Sequence, residues 1–322
     1  MSGKSLGTIL SAVVLLGVST QAPRGQEPGK GDELAKRKAA IAKTKGALPP
    51  LVGVTIERDV TYAKLAGDRE LKLDLYIPEK AEGKLPLVVW VHGGGWRNGS
   101  KTGSPASRLA MFGYVAASID YRLSDEAKFP AQIEDCKAAI RWLRANADKY
   151  HIDSARVGVW GGSAGGHLVA LLGTAGDAKQ WDVGENLDQA SRVQAVCDFF
   201  GPADLTAMPG SQAANANGAV ALLLGGPVAE NREAARAASP VTYVSKNDPP
   251  FFICHGMNDP TVPIAQSEKL LEALQNAGVE AKLLKVKNAG HGFNSEDIDP
   301  TVPEIHGQVR AFFDEHLKLT DK

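Results

Sequence analysis

Cysteine is scarce in this chain. Cys136, Cys197 and Cys254 are the only three, each stands in an apolar run, and none has metal-ligand spacing. A disulfide-framed fold and a cysteine-held zinc are thereby excluded; a single Cys197–Cys254 bridge stays open if their strands are neighbours. Charge of one sign is missing too. The 36 basic and 37 acidic residues leave a net charge of −1 with no basic stripe or acidic tail, so nothing points to a nucleic-acid partner. Aromatic residues make up 6% of the chain, which is little material for a long apolar trough. No internal repeat is evident, and the longest N-terminal apolar run, Leu6 to Val18, is shorter than the roughly 20 residues of a spanning helix.

What is present suits a folded enzyme-sized domain. The apolar share is 43% over 322 residues, ample for a core. Lys4, the run Leu6 to Val18 and the small residues Ser19 to Ala22 read as a signal peptide over 1–22. A secreted or periplasmic protein is therefore expected, with an uncleaved membrane anchor as the alternative and no membrane span after cleavage. Residues 23–50 are polar and lysine-rich and read as a linker. The expected domain is 51–322.

Within it, Val54 to Tyr62 and Leu71 to Ile77 alternate apolar and polar residues, as antiparallel edge strands with one wet face do. Leu87 to Val91, Tyr114 to Ile119, Val157 to Trp160, Val193 to Phe200, Phe251 to Cys254 and Ala281 to Val286 read as buried strands. Helices are expected from Phe129-Pro130 to Ala147, after Ser163, over Ile264 to Asn276 and over Ile305 to Leu317. Strands alternating with helices predict an α/β fold, a mostly parallel sheet covered on both faces. Ligands in such sheets bind beyond the carboxyl ends of the strands. The long interval at about 204–242, with its apolar run Val220 to Leu224, reads as a small lid insertion.

The chemistry-bearing residues follow strands. Gly161-Gly162-Ser163-Ala164-Gly165 lies between a strand and a helix, the context of a nucleophile elbow. Ser163 needs a base, and a histidine oriented by a carboxylate is the usual one. His291, in Asn288-Ala289-Gly290-His291-Gly292-Phe293, follows the last strand and is the expected base. Asp259 follows the strand ending at Cys254 and is the expected carboxylate; Asp198 and Asp204 are weaker candidates. The backbone of His92-Gly93-Gly94-Gly95-Trp96, after another strand, offers N–H donors from Gly94 and Gly95 that join Ala164 N–H as an oxyanion hole. His92 is expected to brace that loop, and His167 to be a satisfied core histidine. His151, His306 and His316 read as surface or packing residues. A zinc site from His92, His255 and His291 is a remote alternative.

These stretches, with Asp120-Tyr121-Arg122-Leu123 and His255-Gly256-x-x-Asp259, make the chain from about Val52 to Leu317 resemble the α/β-hydrolase superfamily. It resembles the esterases around hormone-sensitive lipase, and among them the exported bacterial feruloyl and acetylxylan esterases. The resemblance implies an α/β-hydrolase fold and serine-dependent ester hydrolysis without metal or cofactor. It implies Ser163 as nucleophile, Asp259 as orienter, His291 as base, and Gly94, Gly95 and Ala164 as oxyanion donors. The short lid departs from the larger N-terminal cap of those relatives and weakens any transfer of their acyl preference. Two rival readings are a prolyl-oligopeptidase-like peptidase, for whose extra domain there is no room, and a non-catalytic binding protein, which typically lacks a triad member. The thin lid and Trp96, expected as a flat wall, predict short-acyl, carbohydrate-linked or small aromatic esters as substrates.

Overall fold

A computed structural model describes residues 50–318. The signal peptide expected at 1–22 and the linker expected at 23–50, save its last residue, lie outside the described residues. Eight strands form one sheet: β1 (Val54–Lys64), β2 (Glu70–Pro78), β3 (Leu85–Val91), β4 (Val115–Ile119), β5 (Ile152–Gly162), β6 (Ala195–Phe199), β7 (Phe251–Gly256) and β8 (Ala281–Val286). Their spatial order is β1-β2-β4-β3-β5-β6-β7-β8. The last six strands in that order run parallel, and β1 and β2 join antiparallel at one edge. The exposure of β1 and the continuous burial of β4 and β6 match their edge and central places; β2, expected as a second edge strand with a wet face, instead lies between β1 and β4 and is buried from Leu73 to Ile77.

Seven α-helices accompany the sheet among the described residues: α1 (Ala131–Ala145), α2 (Ala164–Thr174), α3 (Ser211–Ala214), α4 (Ala219–Leu224), α5 (Arg232–Ala237), α6 (Ala265–Asn276) and α7 (Val302–Leu317). Strand alternation sorts the core into two layers. Leu87, Val89 and Val91 of β3 share a cluster with Ile133 and Ile140 of α1, Leu168 and Leu172 of α2, and Leu270 and Leu274 of α6. Val88 of β3 and Trp160 of β5 share the opposite cluster with Ile305, Val309 and Phe313 of α7. All eleven residues of α2 are buried, which is why its sequence is apolar all round. Helix α7 starts earlier than the apolar spacing indicates, because Thr301 and Glu304 close a capping box ahead of it. A 3-10 segment, Pro105–Phe112, lies between β3 and β4 where no element was expected; Ala106 and Leu109 sit in the α7-side core.

The interval 204–242 folds into α3, α4, α5 and two 3-10 turns. Its apolar run is not free to cover a ligand: Val220 and Leu223 are fully buried in the main core, and Leu223 O accepts from Phe129 N–H at 2.9 Å. The cysteines are all buried and free. Strands β6 and β7 are neighbours, yet Cys197 lies opposite Phe252 and Cys254 opposite Phe199, so the register keeps the two thiols from facing each other. Among the described residues, no helix is long and apolar enough to cross a membrane.

Candidate active site

Ser163 occupies the sharp turn between β5 and α2 with φ 57° and ψ −120°, a conformation that costs a non-glycine residue about 1–3 kcal/mol. Its neighbours explain how the turn closes. A Cβ on Gly161 would stand 2.3 Å from Gly165 O, and one on Gly165 would stand 2.0 Å from Val91 O. Neither position has room for a side chain, so strand, turn and helix pack backbone to backbone. The Ser163 N–H donates to Phe199 O at 2.8 Å, tying the elbow to β6. Ala164 opens α2, so its N–H has no acceptor within the helix.

The loops after β7 and β8 bring the acid and the imidazole to this serine. His291 Nε2 lies 2.9 Å from Ser163 Oγ, and His291 Nδ1 lies 2.7 Å from Asp259 Oδ2. The Asp259 side chain is fully buried. Its Oδ1 accepts from Thr261 N–H at 2.8 Å and Val262 N–H at 3.0 Å. Burial pushes the Asp259 pKa up. Hydrogen bonds from His255, His291 and the Val262 amide outweigh that and hold the carboxyl well below the usual range. Asp259 therefore stays an acceptor, and an accepting Oδ2 keeps the His291 proton on Nδ1 with Nε2 free to accept from Ser163.

The two weaker carboxylate candidates are elsewhere. Asp204 caps a 3-10 turn through Thr206 and pairs with Lys269. Asp198 is buried in β6, where its Oδ1 accepts from Gly201 N–H at 2.9 Å and its Oδ2 has no partner. Burial, opposed by the Gly201 amide and by His255, raises its pKa to about 6.

His255 was not singled out for any role beside Asp259, but the structure puts it there. Its Nδ1 accepts from Ser267 Oγ at 2.7 Å and its Nε2 donates to Val262 O at 2.8 Å, with Asp259 Oδ2 at 3.4 Å. Both ring nitrogens are engaged, so His255 has no lone pair for the zinc of the His92–His255–His291 reading. The signal that could have found it is its place at the end of β7, four residues before Asp259.

The glycine loop lies against the elbow. A Cβ on Gly93 would stand 2.7 Å from Gly162 O. Gly94 and Gly95 take φ +109° and +60°, and a Cβ on Gly94 would strike the Asn98 carbonyl. Among the described residues, no protein group accepts from the N–H of Gly94, Gly95 or Ala164. His92 braces the loop: its ring stacks on Tyr121 at 4.3 Å, its Nδ1 meets Gly93 O at 2.7 Å, and its carbonyl accepts from Tyr121 OH at 3.0 Å. The stretch Asp120–Leu123 thus has a mechanical purpose. Asp120 accepts from Lys101 N–H, Tyr121 clamps His92, and Arg122 forks onto Asp135.

Serine, histidine and glycine loop open into one cavity of about 720 Å³. Trp96 borders it but does not form the expected flat wall. It is 3% exposed, and its indole N–H is spent on His167 Nδ1 at 3.2 Å, because its positive φ of 58° turns the side chain inward. The aromatic surface comes from residues that sequence reasoning missed, Trp90 and Phe200, with Met208 from the insertion. Trp90 stands at the end of β3 on the face opposite Val89 and Val91. Period-2 alternation carries that information, but not which face the cavity uses. His167 is a satisfied core histidine: its Nε2 donates to Ala238 O at 2.6 Å, and burial lowers its pKa to about 4.

Comparisons with known proteins agree with this architecture. The family model described as BD-FAE matches residues 73–274. The chain is 32% identical to esterase LipC of Mycobacterium tuberculosis over 85% of its own length and 70% of LipC's. It is 35% identical to esterase LipQ of the same organism over 73% of its length, and spans only 57% of LipQ. Among solved structures, a truncated carbohydrate esterase from gut microbiota superposes with a TM-score of 0.71 at 31% identity, covering 83% of this chain and 98% of that one. A thermophilic esterase of Thermogutta terrifontis superposes at 0.68 and 26% identity, covering 85% and 97%; forms of it are solved with propionate and with butyrate bound. With a family match over more than half of its residues, the chain belongs to the BD-FAE family and is a serine esterase of the α/β-hydrolase fold.

Proposed function

We propose that this protein hydrolyses short-acyl, carbohydrate-linked or small aromatic esters through an acyl-enzyme. The observation that supports it most directly is the continuous hydrogen-bonded line Asp259 Oδ2, His291 Nδ1, His291 Nε2, Ser163 Oγ at the cavity floor. In this mechanism His291 takes the Ser163 proton as Oγ attacks the ester carbon. The carbonyl oxygen becomes an oxyanion that accepts from the N–H groups of Gly94, Gly95 and Ala164; removing one such donor typically costs about 10²–10³ in rate. His291 returns the proton to the departing alcohol. A water deprotonated by His291 then attacks the acyl-enzyme; the bond from the acyl carbon to Ser163 Oγ breaks, His291 returns its proton to Oγ, and the carboxylic acid leaves. Asp259 stays ionised throughout and stabilises the imidazolium.

The short-acyl part of the reading draws on the shape of the cavity. Val220, Leu223 and Leu224 of the insertion's apolar run are buried away in the core, and each methylene left without a wall forfeits about 0.8 kcal/mol. The carbohydrate part draws on the uncharged amides of Asn98, Gln212, Asn215 and Asn217 around the cavity, and on the gut carbohydrate esterase it is similar to. Export is proposed on the sequence of Lys4 to Ala22 alone, and a mature N-terminus sequenced from an extracellular or periplasmic fraction tests it. The activity itself is tested by rates on 4-nitrophenyl acetate through decanoate, methyl ferulate and acetylated xylan, with Ser163→Ala as control. Ser163→Ala abolishes turnover with an unchanged melting curve; comparable turnover in that variant rejects the assignment.

A further inference from the structure

The cavity's charge balance has one unused element. Among the described residues that line it, only His291 and Arg97 can carry charge, and none is a carboxylate. The charge of Asp259 is buried behind His291, with none of its side chain exposed. Arg97 follows the glycine loop two residues after Gly95 and is exposed. Its guanidinium makes one hydrogen bond among the described residues, a long one from Nη1 to the Asn217 carbonyl at 3.5 Å, which suspends it between the loop and the insertion at the cavity mouth. Among the described residues it has no carboxylate partner, unlike Arg69, Arg122 and Arg156, which are each paired with one. A guanidinium presents five N–H donors in a planar fork that fits a carboxylate. Here at least four remain for a ligand, beside neutral amides that repel no anion.

Resting on the ester-hydrolase reading, we propose that Arg97 is a specificity residue which makes the enzyme favour esters carrying a carboxylate, such as acylated sugar acids. The carboxylate docks on the guanidinium while the ester carbonyl lies at Ser163. Reaction and products remain those of ester hydrolysis; the charge enters only through binding and orientation. Because Arg97 stands at an open mouth, the preference weakens as salt screens it.

Two matched pairs of substrates test this. The first is 4-acetoxybenzoate against its methyl ester, with the carboxylate on the alcohol side. The second is mono-4-nitrophenyl succinate against 4-nitrophenyl butyrate, with the carboxylate on the acyl side. The readout is the anionic-to-neutral quotient of kcat/KM, compared between wild type and Arg97→Gln so that intrinsic reactivity cancels. In at least one pair the quotient falls about tenfold in Arg97→Gln, the scale of a charge-assisted hydrogen bond. It is partly restored in Arg97→Lys, and in wild type it declines with rising salt. The responding pair shows which side of the substrate bears the carboxylate. Turnover of all four esters with quotients indifferent to both substitution and salt overturns this inference alone. Failure of the wild type to hydrolyse any of the four removes the ester-hydrolase reading and this inference with it.

Discussion

Trp96 and His167 share a buried hydrogen bond, indole Nε1–H to imidazole Nδ1 at 3.2 Å, with the rings edge to face at 5.1 Å. Through it the residue after the glycine loop is fastened to the helix that begins at the nucleophile. The other nitrogen of His167 donates to the carbonyl of Ala238, just past α5. One neutral imidazole thus holds the glycine loop, the elbow helix and the end of the insertion in register. Protonating it would set two donors nose to nose, and its lowered pKa keeps that from happening near neutrality.

Trp96→Phe preserves the ring packing but orphans His167 Nδ1. An unsatisfied buried acceptor costs about 1–3 kcal/mol, so the variant melts measurably lower and kcat falls as the glycine loop loosens. A melting curve and kcat both equal to wild type would show that the bond carries neither load.

Asp259→Asn keeps the shape but offers an amide where His291 needs an acceptor. The wrong tautomer results, and kcat drops by about 10⁴ as in comparable triads. Asp204→Asn, which disturbs only the Lys269 pair and a 3-10 turn, leaves kcat near wild type. If Asp204→Asn proves the damaging change, Asp259 is not the orienting carboxylate.

Asp198 and His167 pull stability in opposite directions with pH. Asp198 titrates near 6 when folded against 3.8 when unfolded, so the folded state holds the extra proton and stability falls as pH rises from about 4 to 6. His167 titrates near 4 when folded against 6.5 when unfolded, so the unfolded state holds the extra proton and stability rises over nearly the same window. Each effect is on the order of a few kcal/mol. Asp198→Asn removes only the falling component. Its melting temperature therefore climbs more steeply than wild type between about pH 4 and 6, and parallel curves would mean that Asp198 is not a buried, proton-holding acid.

Trp90 and Phe200 both come close to Gly162, where a Cβ would lie 3.7 Å from Trp90 and 3.5 Å from Phe200. If the acyl group lies between these rings, their spacing sets its length. Trp90→Leu then raises kcat/KM for octanoate relative to acetate, since each added methylene gains up to about 0.8 kcal/mol of burial. An unchanged chain-length profile in Trp90→Leu would place the acyl group elsewhere in the cavity.

Most of the sheet was readable in the sequence because strand burial is a local, periodic property. Leu71–Ile77 alternates as a strand does, though it lies inside the sheet between β1 and β4, and Leu87–Val91 is apolar throughout because both its faces are covered. The elbow was readable for a related reason. Gly161, Ser163 and Gly165 stand within one turn of chain, and the clash that forbids a side chain at Gly161 is with Gly165, close in sequence, although the one at Gly165 is with Val91 of β3. The segment Pro105–Phe112 escaped notice because a 3-10 turn has no long apolar period to betray it.

Tertiary structure decided what local pattern does not encode. Asp198 lies at the end of β6 while Asp204 and Asp259 follow strands, and only the folding of the loops after β7 and β8 brings one of the three within 2.7 Å of His291. Trp96 looked like a wall from its place in the glycine loop, but the backbone turn sends its indole inward to His167, while Trp90 and Phe200 border the cavity from two different strand ends. The sequence by itself determined the class of fold and the chemistry on offer, because periodicity, glycine placement and residue type act over a few bonds. Which groups meet depends on strand order and loop path, and these are settled only when burial and hydrogen bonding are satisfied across the whole sheet at once.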